Sequence, residues 1–107
     1  MRVDLQDEPN AKVMAVEGVV TLDNCQELLK EGKGLASDGF VDVIVDFRKV
    51  EFIDSAGIGT LISLSKVMKD GGGGLKLRNL GDNIKRVFAL SRLDAFFTIT
   101  TSGANEP

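Results

Sequence analysis

A serine followed by small residues marks the point where a strand gives way to a helix, in the sequence VEFIDSAGIGTLISLSKVM over residues 50–68. Ser55 occupies the position expected of a helix N-cap, because serine and aspartate side chains accept hydrogen bonds from the free N–H groups of the first turn. Gly57 and Gly59 fall in the same turn, where each costs about 1 kcal/mol relative to alanine. Such small residues at a helix start favour either close packing or contact with another molecule.

The rest of the sequence offers little for catalysis. It contains no histidine, which removes Ser-His-Asp and Cys-His catalysis and the usual zinc sites. Ile53 stands where a nucleophile elbow would need its first glycine. The four glycines at 71–74 follow a helix and precede a strand, the reverse of the order in a phosphate-binding loop, so they predict a helix end and a connector. We therefore expect no enzyme activity, no catalytic residue, no metal and no cofactor.

Length and composition predict a single domain over residues 1–107, in which the polar residues 102–107 form a frayed tail. The net charge of -3 argues against direct binding to nucleic acid. No apolar run reaches the roughly 18 residues that a membrane span needs, and the N-terminus does not resemble a signal peptide. Cys25 is the only cysteine, which fits a reducing compartment, and we expect it to pack as a small hydrophobic residue. These features together indicate a cytoplasmic protein.

At 100° per residue, the helix that follows Ser55 separates into two faces. The core-facing stripe is predicted to consist of Gly57, Leu61, Leu64 and Met68. The opposite strip carries small and apolar side chains with two lysines, namely Ser55, Gly59, Ile62, Ser63, Lys66 and Lys69, with Ile58 at its border. Two interpretations stay open on the residues alone: Ser55 is only a cap on an ordinary solvated face, or the strip contacts another protein.

The remaining pattern predicts the order β-β-α-β-α-β-α-β. Residues 2–6 and 12–20 form a hairpin in which Gly18 marks a bulge or bend. A helix capped by Thr21 or Asp23 runs to about Ser37, and Leu22 is assigned to its loose periodicity. Residues 40–47 read as a central strand and residues 75–79 as the next one. A third helix then turns four residues inward, Ile84, Val87, Phe88 and Ser91. Residues 97–101 form the last strand. The fold class is therefore α/β, with a mixed, mostly parallel sheet of about five strands and three or four helices.

This sequence resembles the STAS domain, the fold of bacterial anti-sigma factor antagonists. The resemblance covers residues 13–99 in length and element order. Its most specific part is the D-S-[SA]-G-[LI]-G turn, which is DSAGIG at residues 54–59 and follows the apolar pair Phe52 and Ile53. Many members carry serine where this chain has Ala56, and many finish with a further helix for which residues 102–107 are too short.

The resemblance implies that Ser55 is phosphorylated by an anti-sigma factor that is itself a serine kinase, and that Asp23 belongs to the docking surface. The unmodified protein would bind this kinase and free its sigma factor, and the phosphorylated protein would let go. The partner-binding residues that follow are Asp23, Asp54, Ser55, Ala56, Gly57, Ile58, Gly59, Ile62, Ser63 and Lys66. The alternative is an unmodified STAS scaffold in a signalling assembly or a lipid-transport complex. Weak self-association is open in either case.

Overall fold

Five strands lie side by side in chain order in one sheet. The structure is a computed structural model that describes residues 1–100. Its elements are β1 Arg2–Glu8, β2 Ala11–Val20, α1 Cys25–Ser37, β3 Asp42–Ile53, α2 Ser55–Asp70, β4 Gly74–Arg78, α3 Asp82–Leu90, α4 Leu93–Phe96 and β5 Thr98–Thr100. Strand β1 is antiparallel to β2, and the other three pairings are parallel. The predicted fold class is confirmed, with four helices because a short helix α4 precedes the last strand.

One face of the sheet carries the core. The register aligns Met14, Val45 and Leu77 across β2, β3 and β4, and all three side chains are fully buried. They belong to one cluster with buried side chains of α1, α2 and α3. Cys25 lies within it as a buried thiol, in agreement with its predicted packing role.

Several predicted details differ from the structure. Helix α1 begins at Cys25 with Asn24 in the N-cap position, not with Thr21 or Asp23, because the carbonyl of Thr21 accepts the N–H groups of Asn24 and Cys25 and closes a separate turn first. Val87, predicted to point inward, is 40% exposed, and Ser91 is exposed at the end of α3. This nine-residue helix touches the core along a narrow line of side chains, with Ile84 and Phe88 buried.

The ends of two predicted segments cannot be compared with the structure. The predicted last strand extended to Thr101, and the described part of β5 covers Thr98–Thr100. Thr101 and the predicted tail at residues 102–107 lie outside the described residues.

A bulge at the end of β2 shapes the edge where Ser55 lies. Gly18 has a φ of +96°, a left-handed conformation that glycine adopts at little cost. The pairing with β3 shifts register between Gly18 and Val19, as the sequence predicted for this glycine. After the shift, Val19 lies opposite Phe52 and Val20 lies opposite Ile53. Strands β2 and β3 therefore end together, and the turns that follow them meet at one edge of the sheet.

Candidate functional site

Ser55 is the first residue of α2, and Asp54 before it is the N-cap. The sequence placed the cap at Ser55, and this assignment was wrong by one residue. The backbone N–H of Asp54 still donates to the carbonyl of Val20, over 3.1 Å, which holds Asp54 in extended conformation at the sheet edge. The helix therefore starts at Ser55, one residue earlier than a cap at Ser55 would predict. Ser55 is exposed, and the capping hydrogen bond is made by the side chain of Asp54 and not by the Ser55 hydroxyl.

The carboxylate of Asp54 joins two elements. Its Oδ1 accepts the N–H of Gly57 in the first turn of α2, over 2.9 Å, and its Oδ2 accepts the N–H of Leu22 in the turn before α1, over 3.0 Å. The Gly57 hydrogen bond is the largest influence on this group, and together with other backbone N–H groups it lowers the pKa of Asp54 below 3.8 despite partial desolvation. Asp54 is therefore a carboxylate at neutral pH. It fixes the first turn of α2, where Ser55 lies, to the turn before α1.

Gly57 allows this edge to close. A Cβ atom at residue 57 would lie 2.6 Å from Cγ1 of Ile53 and 2.9 Å from the carbonyl oxygen of Val20. Neither distance leaves room for a methyl group. The packing role predicted for Gly57 is confirmed, and the residue is buried. Its contribution to the predicted partner surface is indirect, because it lets the start of α2 pack against the ends of β2 and β3.

The outward strip of α2 has the predicted composition. Its exposed members are Ser55, Gly59, Ser63, Lys66 and Lys69. Three further residues are half-buried and pack against the margin of the core, namely Ala56, Ile58 and Ile62. Among the described residues, a Cβ atom at Gly59 would meet no atom within 4 Å beyond its chain neighbours and the adjacent backbone of α2. The strip is thus a shallow polar surface with small side chains and partly accessible apolar edges.

The turn between β2 and α1 lies beside this strip and adds residues that sequence reasoning missed. Asp23 is exposed, as its predicted docking role requires. Leu22 is 72% exposed and Phe52 is 53% exposed, yet neither was predicted to contribute. Leu22 was assigned to the periodicity of α1, although it precedes the helix. An apolar residue between Thr21 and Asp23 in a polar turn was the signal that could have revealed it.

Among residues 1–100, no helix combines the length and apolar character that crossing a membrane would require. In the same part of the chain, histidine, cysteine and carboxylate side chains do not gather in threes as a metal site would need.

Comparisons with known proteins agree on one family. The family model described as "Mlab, STAS domain" matches residues 3–100. The anti-sigma-B factor antagonist of Bacillus subtilis (strain 168) is 27% identical over 100 residues, which cover 94% of this chain and 91% of that protein.

Solved structures share the fold at lower identity. An anti-sigma factor antagonist from Mycobacterium paratuberculosis has a TM-score of 0.82 at 20% identity, and the match covers 92% of this chain and 84% of that chain. The Bacillus cell fate determinant SpoIIAA, solved in its phosphorylated form, has a TM-score of 0.72 at 18% identity, with 94% and 93% covered. With the family match spanning nearly all of its described residues, the chain belongs to the STAS domain family.

Proposed function

We propose that the protein is an anti-sigma factor antagonist whose binding to a serine-kinase anti-sigma factor is switched off by phosphorylation of Ser55. The observation that carries the proposal is the exposed Ser55 hydroxyl at the start of α2, because the neighbouring Asp54 serves as the cap in its place. The hydroxyl is thus available to a partner, and the fold does not depend on it. In this proposal the protein acts in the cytoplasm and does not contact nucleic acid itself.

The modification transfers one phosphoryl group. The Ser55 oxygen bonds to the γ-phosphorus of a nucleoside triphosphate held by the kinase, the bond to the diphosphate leaving group breaks, and the hydroxyl proton passes to a base on the kinase. The protein gains a charge of about -1.5 to -2 at pH 7. No catalytic group is required of this chain, which is the substrate of the reaction.

Charge explains why binding would fail while the fold persists. Anions are favoured at a helix N-terminus, because the N–H groups of the first turn point toward them. The phosphate therefore gains some stabilisation from α2, although it lies one residue from the carboxylate of Asp54. At a protein interface the same phosphate would have to lose its water and face a surface adapted to a neutral hydroxyl. We expect dissociation of the complex with little change in the fold.

The comparisons support the role. The Bacillus subtilis relative is named an anti-sigma-B factor antagonist, and SpoIIAA has been solved in both its unphosphorylated and its phosphorylated form. Phosphorylation is therefore compatible with this fold in a structural neighbour.

Replacement of Ser55 by Asp is the direct test, with Ser91, the exposed residue that follows α3, as a control site. We expect Ser55→Asp to keep the circular dichroism spectrum and melting temperature of the unmodified protein. Its affinity for the kinase, measured by calorimetry, should fall by about 100-fold or more, equivalent to about 2.7 kcal/mol. Ser91→Asp should bind normally. Loss of the fold in Ser55→Asp would instead show that Ser55 is chiefly structural.

The kinase itself must first be identified by co-purification from the native cell, read by mass spectrometry. Intact mass of the protein from that cell, before and after phosphatase treatment, then distinguishes the switch from the scaffold alternative. A phosphatase-sensitive mass that maps to Ser55 supports the switch. A protein that never carries phosphate under conditions that vary sigma-factor activity would favour the scaffold role, in which Ser55 stays unmodified.

A further inference from the structure

The turn that presents Leu22 is held by its own side chains. Asn24 Oδ1 accepts the N–H of Thr21 over 2.9 Å, and Asn24 Nδ2 donates to the carbonyl of Val19 over 3.0 Å. The carbonyl of Thr21 also accepts the N–H groups of Asn24 and Cys25. Residues 21–24 therefore form a compact unit whose shape is set locally.

The carboxylate of Asp54 fastens this unit to α2. Leu22 and Asp54 are 32 positions apart in the chain, yet the Leu22 N–H donates to Asp54 Oδ2 over 3.0 Å. The other oxygen of the same carboxylate accepts from Gly57. Two acceptor oxygens on one rigid group thus fix the turn relative to the helix start, and Ser55 follows Asp54 directly in the chain.

Among residues 1–100, Leu22 is not one of the side chains that pack against the core, so packing does not account for its place. Its side chain is 72% exposed, while its backbone N–H is fixed. Val19 and Phe52, which lie opposite each other where β2 and β3 end, are also exposed. Single exposed apolar residues are common on protein surfaces, but here three occur on the segments that surround one carboxylate. Exposed acids, Asp23 and Glu51, neighbour them in sequence.

We propose that Leu22 is an apolar anchor for the kinase and that Asp54 is the positioning residue that displays it beside Ser55. The inference rests on the proposed function, and it identifies the matching partner surface as an apolar depression with lysine or arginine at its rim. The depression would receive Leu22 and the basic rim would face Asp23 and Glu51, in keeping with the buried apolar anchors and polar rims of protein interfaces. Asp54, which the resemblance places among the partner-binding residues, would then act through the position of Leu22.

The positioning role is tested without a partner, by nuclear magnetic resonance of the ¹⁵N-labelled chain. Amide protons that donate to one carboxylate should shift together as it titrates. We expect the Leu22 and Gly57 resonances to share a single midpoint, below the ordinary aspartate value of 3.8. In Asp54→Asn both titrations should vanish, and since asparagine offers one acceptor oxygen, one of the two amides must lose its bond. Separate midpoints, or a Leu22 titration that survives in Asp54→Asn, would overturn the positioning role.

The anchor role is tested by calorimetry with the kinase that the proposed function identifies. Leu22→Ser should weaken binding by about 10-fold or more, as loss of an interface anchor does, without lowering the melting temperature. Leu90→Ser is the matched control, because Leu90 is an 80% exposed leucine on α3, and it should bind normally. Asp54→Asn should weaken binding while the protein stays folded.

The outcomes separate the two proposals. If Ser55→Asp abolishes binding and Leu22→Ser does not weaken it, the anchor is overturned and the proposed function stands. If sedimentation shows that Leu22→Ser converts a dimer into a monomer, the apolar residues join two copies of this chain and the anchor is again overturned. If no kinase binds, the proposed function and the anchor fail together, while the amide titration still decides whether Asp54 positions Leu22.

Discussion

Two glycines in one helical turn have opposite surroundings. A Cβ atom at Gly57 would clash with Ile53 and with the backbone of Val20, whereas a Cβ atom at Gly59 would meet no atom within 4 Å. Both residues cost the helix about 1 kcal/mol relative to alanine. At Gly57 the contact with the strand ends offsets this cost. At Gly59 nothing within residues 1–100 does, and this agrees with the partner contact that we propose for this strip.

The largest effect on stability is expected at the buried glycine. Gly57→Ala should gain about 1 kcal/mol of helix propensity and lose more through overpacking, which costs about 1–3 kcal/mol. Because one contact at 2.9 Å is a backbone oxygen, we place the cost at the upper end, for a net loss of about 1–2 kcal/mol. The melting temperature should fall by about 5–10 °C. An unchanged melting temperature would mean that α2 is not held against the strand ends.

The open glycine should behave in the opposite way. Gly59→Ala should raise the free energy of unfolding by about 0.5–1 kcal/mol, since the backbone loses freedom in the unfolded chain and no contact is strained. Gly34→Ala is the matched control, because Gly34 is an exposed residue of α1 with nothing within 4 Å of its missing Cβ. Both variants should melt at a higher temperature.

Binding then separates these two variants. Only Gly59→Ala should weaken the kinase complex, because its methyl group would stand in the proposed interface. Equal affinities for Gly59→Ala and Gly34→Ala, measured by calorimetry, would remove the reason for assigning Gly59 to a partner.

The contrast between the glycines was predictable from sequence because it depends on helical periodicity alone. The element order and the mostly parallel sheet were predictable for a related reason, since strands that alternate with helices imply parallel crossover connections. The position of the cap was not. Asp54 and Ser55 are both good capping residues, and the choice is made by the hydrogen bond from Asp54 to Val20, a contact between distant segments. Similarly, Leu22 matched a helical pattern, but the turn closed by Thr21 and Asn24 takes it out of α1.

The smallest effect on stability is expected from the negative charge of Asp54, the N-cap residue of α2. The lowered pKa of Asp54 means that the folded state favours the carboxylate, so its stabilisation is complete above the unfolded value of about 3.9 and is lost as the pH falls through the lower folded value.

Thermal melts of the unmodified protein and of Asp54→Asn between pH 7 and pH 2.5 measure this contribution. Asparagine can still cap α2, but it carries no charge and offers one acceptor oxygen in place of two. The unmodified protein should therefore melt at the higher temperature above about pH 5. The difference should shrink as the Asp54 carboxylate is protonated. Other carboxylates titrate in both proteins, so only the difference between the two curves reports on Asp54. A difference that does not change with pH would show that the hydrogen bonds alone, without the charge, hold the start of α2.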